Sequence, residues 1–362
     1  MPSHRPARPA LARLRQMARM DLQGPQLVEP VLQTLHQLVG FDAGGYVYPG
    51  SDGVLQAHME APELNARVPD YFDPRILRSE RELFHRSLSR FDEAVHHEHG
   101  PQMLEQLLKV PYAELLRSDF YNVVLRPAGV ATWASLVLRT QQGQGIGTLI
   151  LYRGTGSPPF RREELDTLAP VEASLAHMLK PGALPTGDRE VQGSGLIIVT
   201  AKGRVQWISP EAGTLMQQAF GWRWRSSADA LPATVRTLLR KLEPGQPGER
   251  PPPPRTDLCN AQGWFSLSAT PMTAATGKRQ VVALQVTRHV ARGARLLSAL
   301  RALDLPQRQH ELAWWLARGL SEAQIAERMC ISANTVVYHR RQLYNRLGVQ
   351  DRRELMRRLD RG

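Results

Sequence analysis

The chain has 362 residues, 42% of them hydrophobic, which is enough for two or three domains that each bury a core, and it contains no apolar run of bilayer-spanning length. Lys and Arg (46) outnumber Asp and Glu (34), leaving a formal charge of +12 that favours a polyanionic partner, most simply nucleic acid, although Arg richness can also follow genomic composition. Two cysteines, Cys259 and Cys330, lie far apart without metal spacing, which excludes a disulfide framework and fits a reducing cytoplasm.

Arg5, Arg8, Arg13, Arg15 and Arg19 stud the N-terminus without an apolar h-region, so an Arg-rich helix is expected there and a secretory signal is not. Across 21–180 helical and strand patterns mix. Leu27, Val31, Leu32, Leu35 and Leu38 recur at helical spacing, and 44–49 reads as a strand. Helical patterns follow over 74–88 and 103–116. Two β-rich runs, 133–140 and 146–153, flank the polar turn Gln142-Gly143-Gln144-Gly145 and predict a hairpin, and 161–179 predicts a closing helix. A helix, a sheet with a late hairpin and a closing helix resemble a GAF-type sensor domain, an architectural likeness without a sharp motif. Tyr71-Phe72-Asp73-Pro74 is similar to a piece of the acyl-homoserine-lactone-binding domain of LuxR-type quorum regulators, without the surrounding aromatic and acidic constellation, so such a regulator stands as an alternative.

His96, His97 and His99, with Glu98, Asp92 and Glu93 nearby, form the one metal-like cluster. Imidazoles and carboxylates can hold zinc, but neighbours on a helix point apart. A solvated helix end is therefore preferred, with a metal-dependent enzyme or metal sensor as the rival.

Residues 181–192 read as a Pro/Gly-containing linker, and 193–290 as a second α/β unit. Strands are expected at 195–200, 204–208, 263–269 and 281–287, with a helix from Ser209-Pro210 to 219. Gly195-Leu196-Ile197-Ile198-Val199, then Gly203-Arg204-Val205, then Ser209-Pro210-Glu211-Ala212, is similar to the opening of a PAS domain, in which the Ser position is often Asn. Residues 244–254, with four consecutive prolines from Pro251 to Pro254, predict an extended loop. Residues 195–287 contain no histidine to ligate a haem, and Cys259 lacks the helical motif of flavin-adduct PAS domains. Walker A, Gly-x-Ser-x-Gly and phospho-receiver patterns are missing. No enzyme is expected, and no catalytic residue, cofactor or metal is assigned. Over 291–304, Leu296, Leu297, Leu300 and Leu303 form the apolar stripe of a connector helix that either carries a signal or packs the domains together, packing being preferred.

The most informative stretch is 305–362. A helix is expected from Pro306 to Gly319, and a second from Ser321, with Gln324 completing a capping box and Ile325, Ala326 and Met329 on one face. The chain should break at Cys330-Ile331, with Cys330 a small core residue. A third helix opens at the N-cap Ser332 and ends at Gly348, and a fourth opens at Asp351 with Glu354 in the capping-box position. At 100° per residue, Val336, Leu343 and Leu347 share an inward stripe, while Asn334, Val337, Tyr338, Arg341 and Asn345 face the other way. From Ser332 to Leu347 there is no Asp or Glu. Two short helices with a tight turn, the second amphipathic and acid-free, describe a helix-turn-helix whose second helix fits a major groove.

The segment resembles the LuxR-type (GerE-like) helix-turn-helix of bacterial transcription regulators. The residues that carry this are Leu305, Arg308 and Glu311, then Gly319, Leu320, Ser321, Ile325 and Ala326, then Ile331, Ser332, Thr335, Val336 and His339, and finally Leu347, Gly348, Val349, Arg352 or Arg353, Glu354 and Leu355. The departures are Pro306, Gln309, Gln324 and Arg340. The resemblance covers 58 of 362 residues. It implies a helix-turn-helix core at 321–340, base contacts by Val337, Tyr338 and Arg341, and backbone contacts by Ser332, Thr335 and His339. It also implies a homodimer on an inverted-repeat operator in double-stranded DNA, with Met356 and Leu359 of the last helix at the two-fold contact. The expected fold class is thus multidomain α+β, two α/β sensor-like domains (GAF-like at 21–180, PAS-like at 193–290) followed by an all-α DNA-binding domain at 305–362. A cytoplasmic regulator with a small-molecule effector in its N-terminal domains and no membrane partner is the expectation.

Overall fold

The computed structural model describes residues 7–20, 22–50, 53–86, 91–181, 189–200, 202–224, 231–242, 253–273 and 280–360. The first unit opens with α1 (Ala7–Arg19) and α2 (Val28–Leu35), followed by the hairpin β1 (Ala43–Pro49) and β2 (Leu55–Met59). Helices α3 (Pro62–Tyr71), α4 (Pro74–Leu83) and α5 (Phe91–His97) lead to the short β3 (Gln102–Met103). Then come α6 (Leu104–Leu107), α7 (Tyr112–Arg117), the hairpin β4 (Val130–Arg139) and β5 (Gly145–Gly154), and α8 (Arg162–Asp166) and α9 (Glu172–Leu179). The sheet is antiparallel, in the order β2-β1-β5-β4-β3.

Both faces of this sheet are covered, and for that reason β5 is buried at eight consecutive positions instead of alternating. Leu149 and Leu151 face a core with Leu14, Leu32, Leu35, Leu175 and Leu179, while Ile150 and Tyr152 face Val47, Leu64, Ile76, Phe120 and Val124.

Prolines account for two departures from the predicted helices. The pattern over 103–116 predicts one helix, but Pro111 disfavours a helical Val110, and α6 and α7 form separately. The helix expected over 161–179 is interrupted at Pro170 by a 3-10 turn, Ala169–Val171. In addition, α4 stops at Leu83 and not at 88, because Phe84 turns extended and bridges to Leu108.

The second unit has β6 (Arg189–Thr200), β7 (Val205–Ile208), α10 (Pro210–Phe220), α11 (Ala233–Arg240), β8 (Arg255–Asn260), β9 (Gly263–Thr273) and β10 (Gln280–Ala291). Its antiparallel order is β7-β6-β10-β9-β8, the strand order of the first sheet repeated. Residues 189–192, expected in a linker, instead pair with the far end of β10; the rest of that span up to 188, and most of the expected proline loop, lie outside the described residues. The edge strand β8 has no counterpart in the sequence prediction.

Among the described residues, helices cover one face here. Ile197, Val199, Phe265, Leu284 and Val286 pack under Leu215, Met216, Phe220, Val235 and Leu238, while Leu196, Trp207, Ile208 and Met272 stand exposed. Gly195 sets how closely α10 approaches: a Cβ there would lie 2.4 Å from the backbone nitrogen of Ala212, so any other residue would push the helix off the strand.

The C-terminal region has α12 (Arg292–Arg301), α13 (Gln307–Ala317), α14 (Glu322–Met329), α15 (Ala333–Leu347) and α16 (Arg352–Asp360). Its core is not separate. Leu312, Trp314, Ile325, Val336, Leu343 and Leu355 belong to one continuous cluster with Leu14, Met17 and Met20 of α1 and its end and with Leu296, Leu297 and Leu300 of α12. The connector therefore packs. Polar ties accompany it: Gln16 Nε2 donates to the Gln307 carbonyl at 3.0 Å, and Arg295 pairs with Glu190 at 3.3 Å and with Asp360 at 3.1 Å.

Candidate nucleic-acid interface

The helix ends around the turn and the start of the last helix are chemically specified. The Ser321 hydroxyl accepts from Gln324 N, and the Gln324 side chain accepts from Ser321 N at 2.9 Å, a complete capping box for α14. Cys330 ends that helix at φ 52°, the one non-glycine residue with positive φ among the described residues. This corrects its sequence assignment. In the left-handed turn its side chain points outward and is exposed, with Sγ 3.7 Å from the Glu327 carbonyl, while Met329 and Ile325 fill the core.

Ser332 caps α15 by accepting from Thr335 N at 3.1 Å, and the two hydroxyls lie 2.8 Å apart. Gly348, at φ 63°, closes the helix. On α16, Glu354 N donates to Asp351 Oδ1, and the Glu354 carboxylate accepts from Gln350 N.

This frame fixes what α15 presents. Val336 and Leu343 are fully buried and Leu347 nearly so, as the 100° stripe predicts. Asn334, Tyr338, Arg341 and Asn345 are exposed, with Thr335, Val337 and His339 half-buried beside them. Tyr338 is 58% exposed, a large aromatic that the fold leaves on the surface. Its hydroxyl accepts from Gln342 Nε2 at 2.6 Å, and its ring meets His339 edge-on at 5.5 Å. Gln342 thereby joins the outer face; its i+4 spacing from Tyr338 was the available signal. Arg340 is turned away from that face and paired with Glu322 of α14, locking the two helices of the motif together. The result is an acid-free surface of amide, phenol and guanidinium groups on a rigid helix, the donor and acceptor set that reads base edges.

The last helix divides the two residues expected at a two-fold contact. Leu359 is 4% exposed and buried in its own chain's core, so in this arrangement it is not available to a partner, while Met356 is half-buried on the same helix.

The histidine cluster takes its form from the end of α5. His96, His97 and His99 are exposed, and Arg139 of β4 donates to the carbonyls of Val95 and Glu98, capping the helix. Among the described residues no three His, Cys, Asp or Glu side chains converge as a metal site would require.

Concavities elsewhere differ in size. An apolar cavity inside the first unit, lined by Val47, Leu64, Phe120, Ile150 and Tyr152, has only about 60 Å³. A cleft of about 560 Å³ separates the two sheet units, between Tyr48, His58 and Met59 on one side and Gln218, Trp222 and Asn260 on the other. There the Tyr48 hydroxyl accepts from Ala261 N at 3.0 Å, and Phe72 stacks on Trp222 at 5.2 Å. His58 Nε2 and Gln218 Oε1 are buried without a hydrogen-bond partner, and burial pushes the His58 imidazole below its ordinary pKa.

Residues 304–359 match the family described as bacterial regulatory proteins, luxR family. The chain is similar to the solved structure of the N-acylhomoserine-lactone-dependent LuxR family transcription factor CepR2 from Burkholderia cenocepacia, at 16% identity over 47% of this chain and 92% of that one, with a TM-score of 0.32. It is similar to Escherichia coli SdiA at 12% identity over 97% and 94% of the two chains, with a TM-score of 0.27, and to Vibrio cholerae VqmA at 16% identity over 47% and 84%, with a TM-score of 0.18. No curated protein matches. With TM-scores this low, the functional reading rests on the C-terminal domain, which is a LuxR-type helix-turn-helix.

Proposed function

We propose that the chain is a transcription regulator that binds double-stranded DNA through α15, with the two N-terminal units setting the arrangement of that helix. The observation that carries this is the exposed, acid-free face of α15 on a capped and fully packed helix-turn-helix frame. Arg and Lys neutralise phosphates and give a salt-dependent affinity, while Asn334, Val337, Tyr338, Arg341 and Asn345 face the base edges. Ser332, Thr335 and His339, which flank that face, are assigned to phosphate contacts, although Ser332 also caps the helix.

Arg341→Ala tests the reading. A guanidinium bonded bidentately to guanine contributes about 1–3 kcal/mol of discrimination, so the variant is expected to lose preference at one base position in a binding-site selection assay. An equal loss on every sequence would make Arg341 a phosphate contact only.

The N-terminal units are read as GAF-like and PAS-like sensors; the common strand order and the helical covering of each sheet support this. An effector is assigned to the 560 Å³ cleft between them, which has the size that small-molecule sites usually have and presents the unpartnered His58 Nε2 and Gln218 Oε1; among the described residues, the concavity of about 620 Å³ beside Trp222 and Leu238 has the size without such groups, and the 60 Å³ cavity has neither. Among the described residues no helix is long and apolar enough to cross a membrane, and a cytoplasmic setting is part of the proposal.

Dimerisation on an inverted repeat completes it, with Met356 as the remaining candidate on α16. Met356→Glu is expected to keep the far-ultraviolet circular dichroism and half-site binding of the parent while losing cooperative binding to the full site. Cooperative full-site binding by the folded variant would remove α16 from the interface.

A further inference from the structure

We propose that the cleft where α1, α12 and α13 meet is a binding site for a small oxyanion, a phosphate or carboxylate group, that clamps the DNA-binding domain to the first unit. The cleft has a volume of about 150 Å³ and is lined by Arg13 of α1, Arg301 of α12 and His310 of α13, with the amides of Gln16 and Gln307 between them and no carboxylate. Small-molecule sites of drug size run to about 300–1,000 Å³. This one suits a group of a few heavy atoms.

Three basic side chains from three elements converge here without a counter-ion. Among the described residues neither Arg13 nor Arg301 has a carboxylate within ion-pair distance, and the Arg301 guanidinium donates to a neutral acceptor, Gln33 Oε1. Burial, and then Arg13, pushes the Arg301 guanidinium below its ordinary pKa, with Glu29 opposing. His310 is buried and its Nε2 has no hydrogen-bond partner. Two half-buried guanidiniums held beside a buried imidazole are unfavourable neighbours unless something pairs with them. One oxyanion would accept charge-assisted bonds from both guanidiniums and supply the missing partner of His310 Nε2. Because Gln16 already bonds the Gln307 backbone, the groups around the anion sit at the joint between α1 and the first helix of the helix-turn-helix. Any effect on DNA binding rests on the proposed function; occupancy of the site does not.

The test uses the full chain at constant ionic strength in chloride, inorganic phosphate and succinate, followed by thermal melting and by the histidine signals in nuclear magnetic resonance. A saturable rise in melting temperature with phosphate or succinate over chloride is expected, together with an upward shift of the His310 titration, and the more effective anion identifies the source. Both responses should disappear in Arg13→Gln, which leaves the Arg301 contact to Gln33 in place, and in Arg301→Gln. Equal melting in the three salts overturns the proposal, as does an anion response that both variants retain. Weaker DNA binding by Arg13→Gln without any anion response in the parent assigns that guanidinium to DNA and equally overturns it. Neither readout requires DNA, so they stand even if the chain binds none.

Discussion

Replacing Trp314 with alanine is expected to lower the unfolding free energy by about 3–5 kcal/mol, the range for truncating a large aromatic in a packed core. Trp314 has no exposed surface and sits at the centre of α13. Its ring meets Trp315 edge-on at 6.4 Å, and the Arg318 guanidinium lies 5.8 Å from its centroid. A Cβ on Gly293 would lie 3.2 Å from its Cη2 and 2.6 Å from Leu22, so a glycine at the start of α12 lets three segments close over the indole. The indole Nε1 has no hydrogen-bond partner, so Trp314 stabilises through the contacts of its ring and its removal strands no polar group. The same cluster joins α1, α12 and the helix-turn-helix, and the damage should therefore reach the first unit as well as the DNA-binding domain. Urea unfolding followed by circular dichroism measures it. A loss below about 1 kcal/mol would mean that the two regions do not share a core.

The local chemistry of the C-terminal helices is legible because it is short-range: Ser321, Ser332 and Gly348 do what their residue types predict, and the stripe of Val336, Leu343 and Leu347 follows from helical spacing alone. Strands β1, β4, β5, β6, β7, β9 and β10 appear where alternation or apolar runs mark them, whereas the edge strands β2 and β3 carry no such mark. What is not legible depends on tertiary context. Strand β8 carries Asp257 and Asn260 and pairs only along β9, so its sequence lacks a strand signature. Cys330 is outward because the tight turn needs a left-handed residue, a demand set by α14 and α15 together. Leu359 has the pattern of an exposed apolar contact until α12 is packed against α16. The merging of the C-terminal core with that of the first unit is of the same kind: the apolar stripes of α1 and α12 are visible in sequence, but not which partner each one covers.

His310 should make the protein acid-labile in a specific window. The imidazole is pushed down to about 4, first by burial and then by Arg13 of α1 and Arg301 of α12, against an ordinary value of 6.5. A histidine whose folded pKa is depressed binds its proton in the unfolded state first. Its contribution to stability is complete above about pH 6.5 and declines as the pH falls from there toward 4, where both states are protonated. The difference corresponds to about 3 kcal/mol, most of it lost by pH 4.5. Urea midpoints measured from pH 7.5 to 4.5 in chloride, free of phosphate and carboxylate buffers, are expected to fall more steeply for the parent than for His310→Gln, which cannot acquire the charge. Carboxylates such as Glu311, raised by its own burial, titrate in both proteins and cancel in the comparison. Parallel acid profiles for the two would mean that His310 is solvated in solution and that the cleft beside it is open.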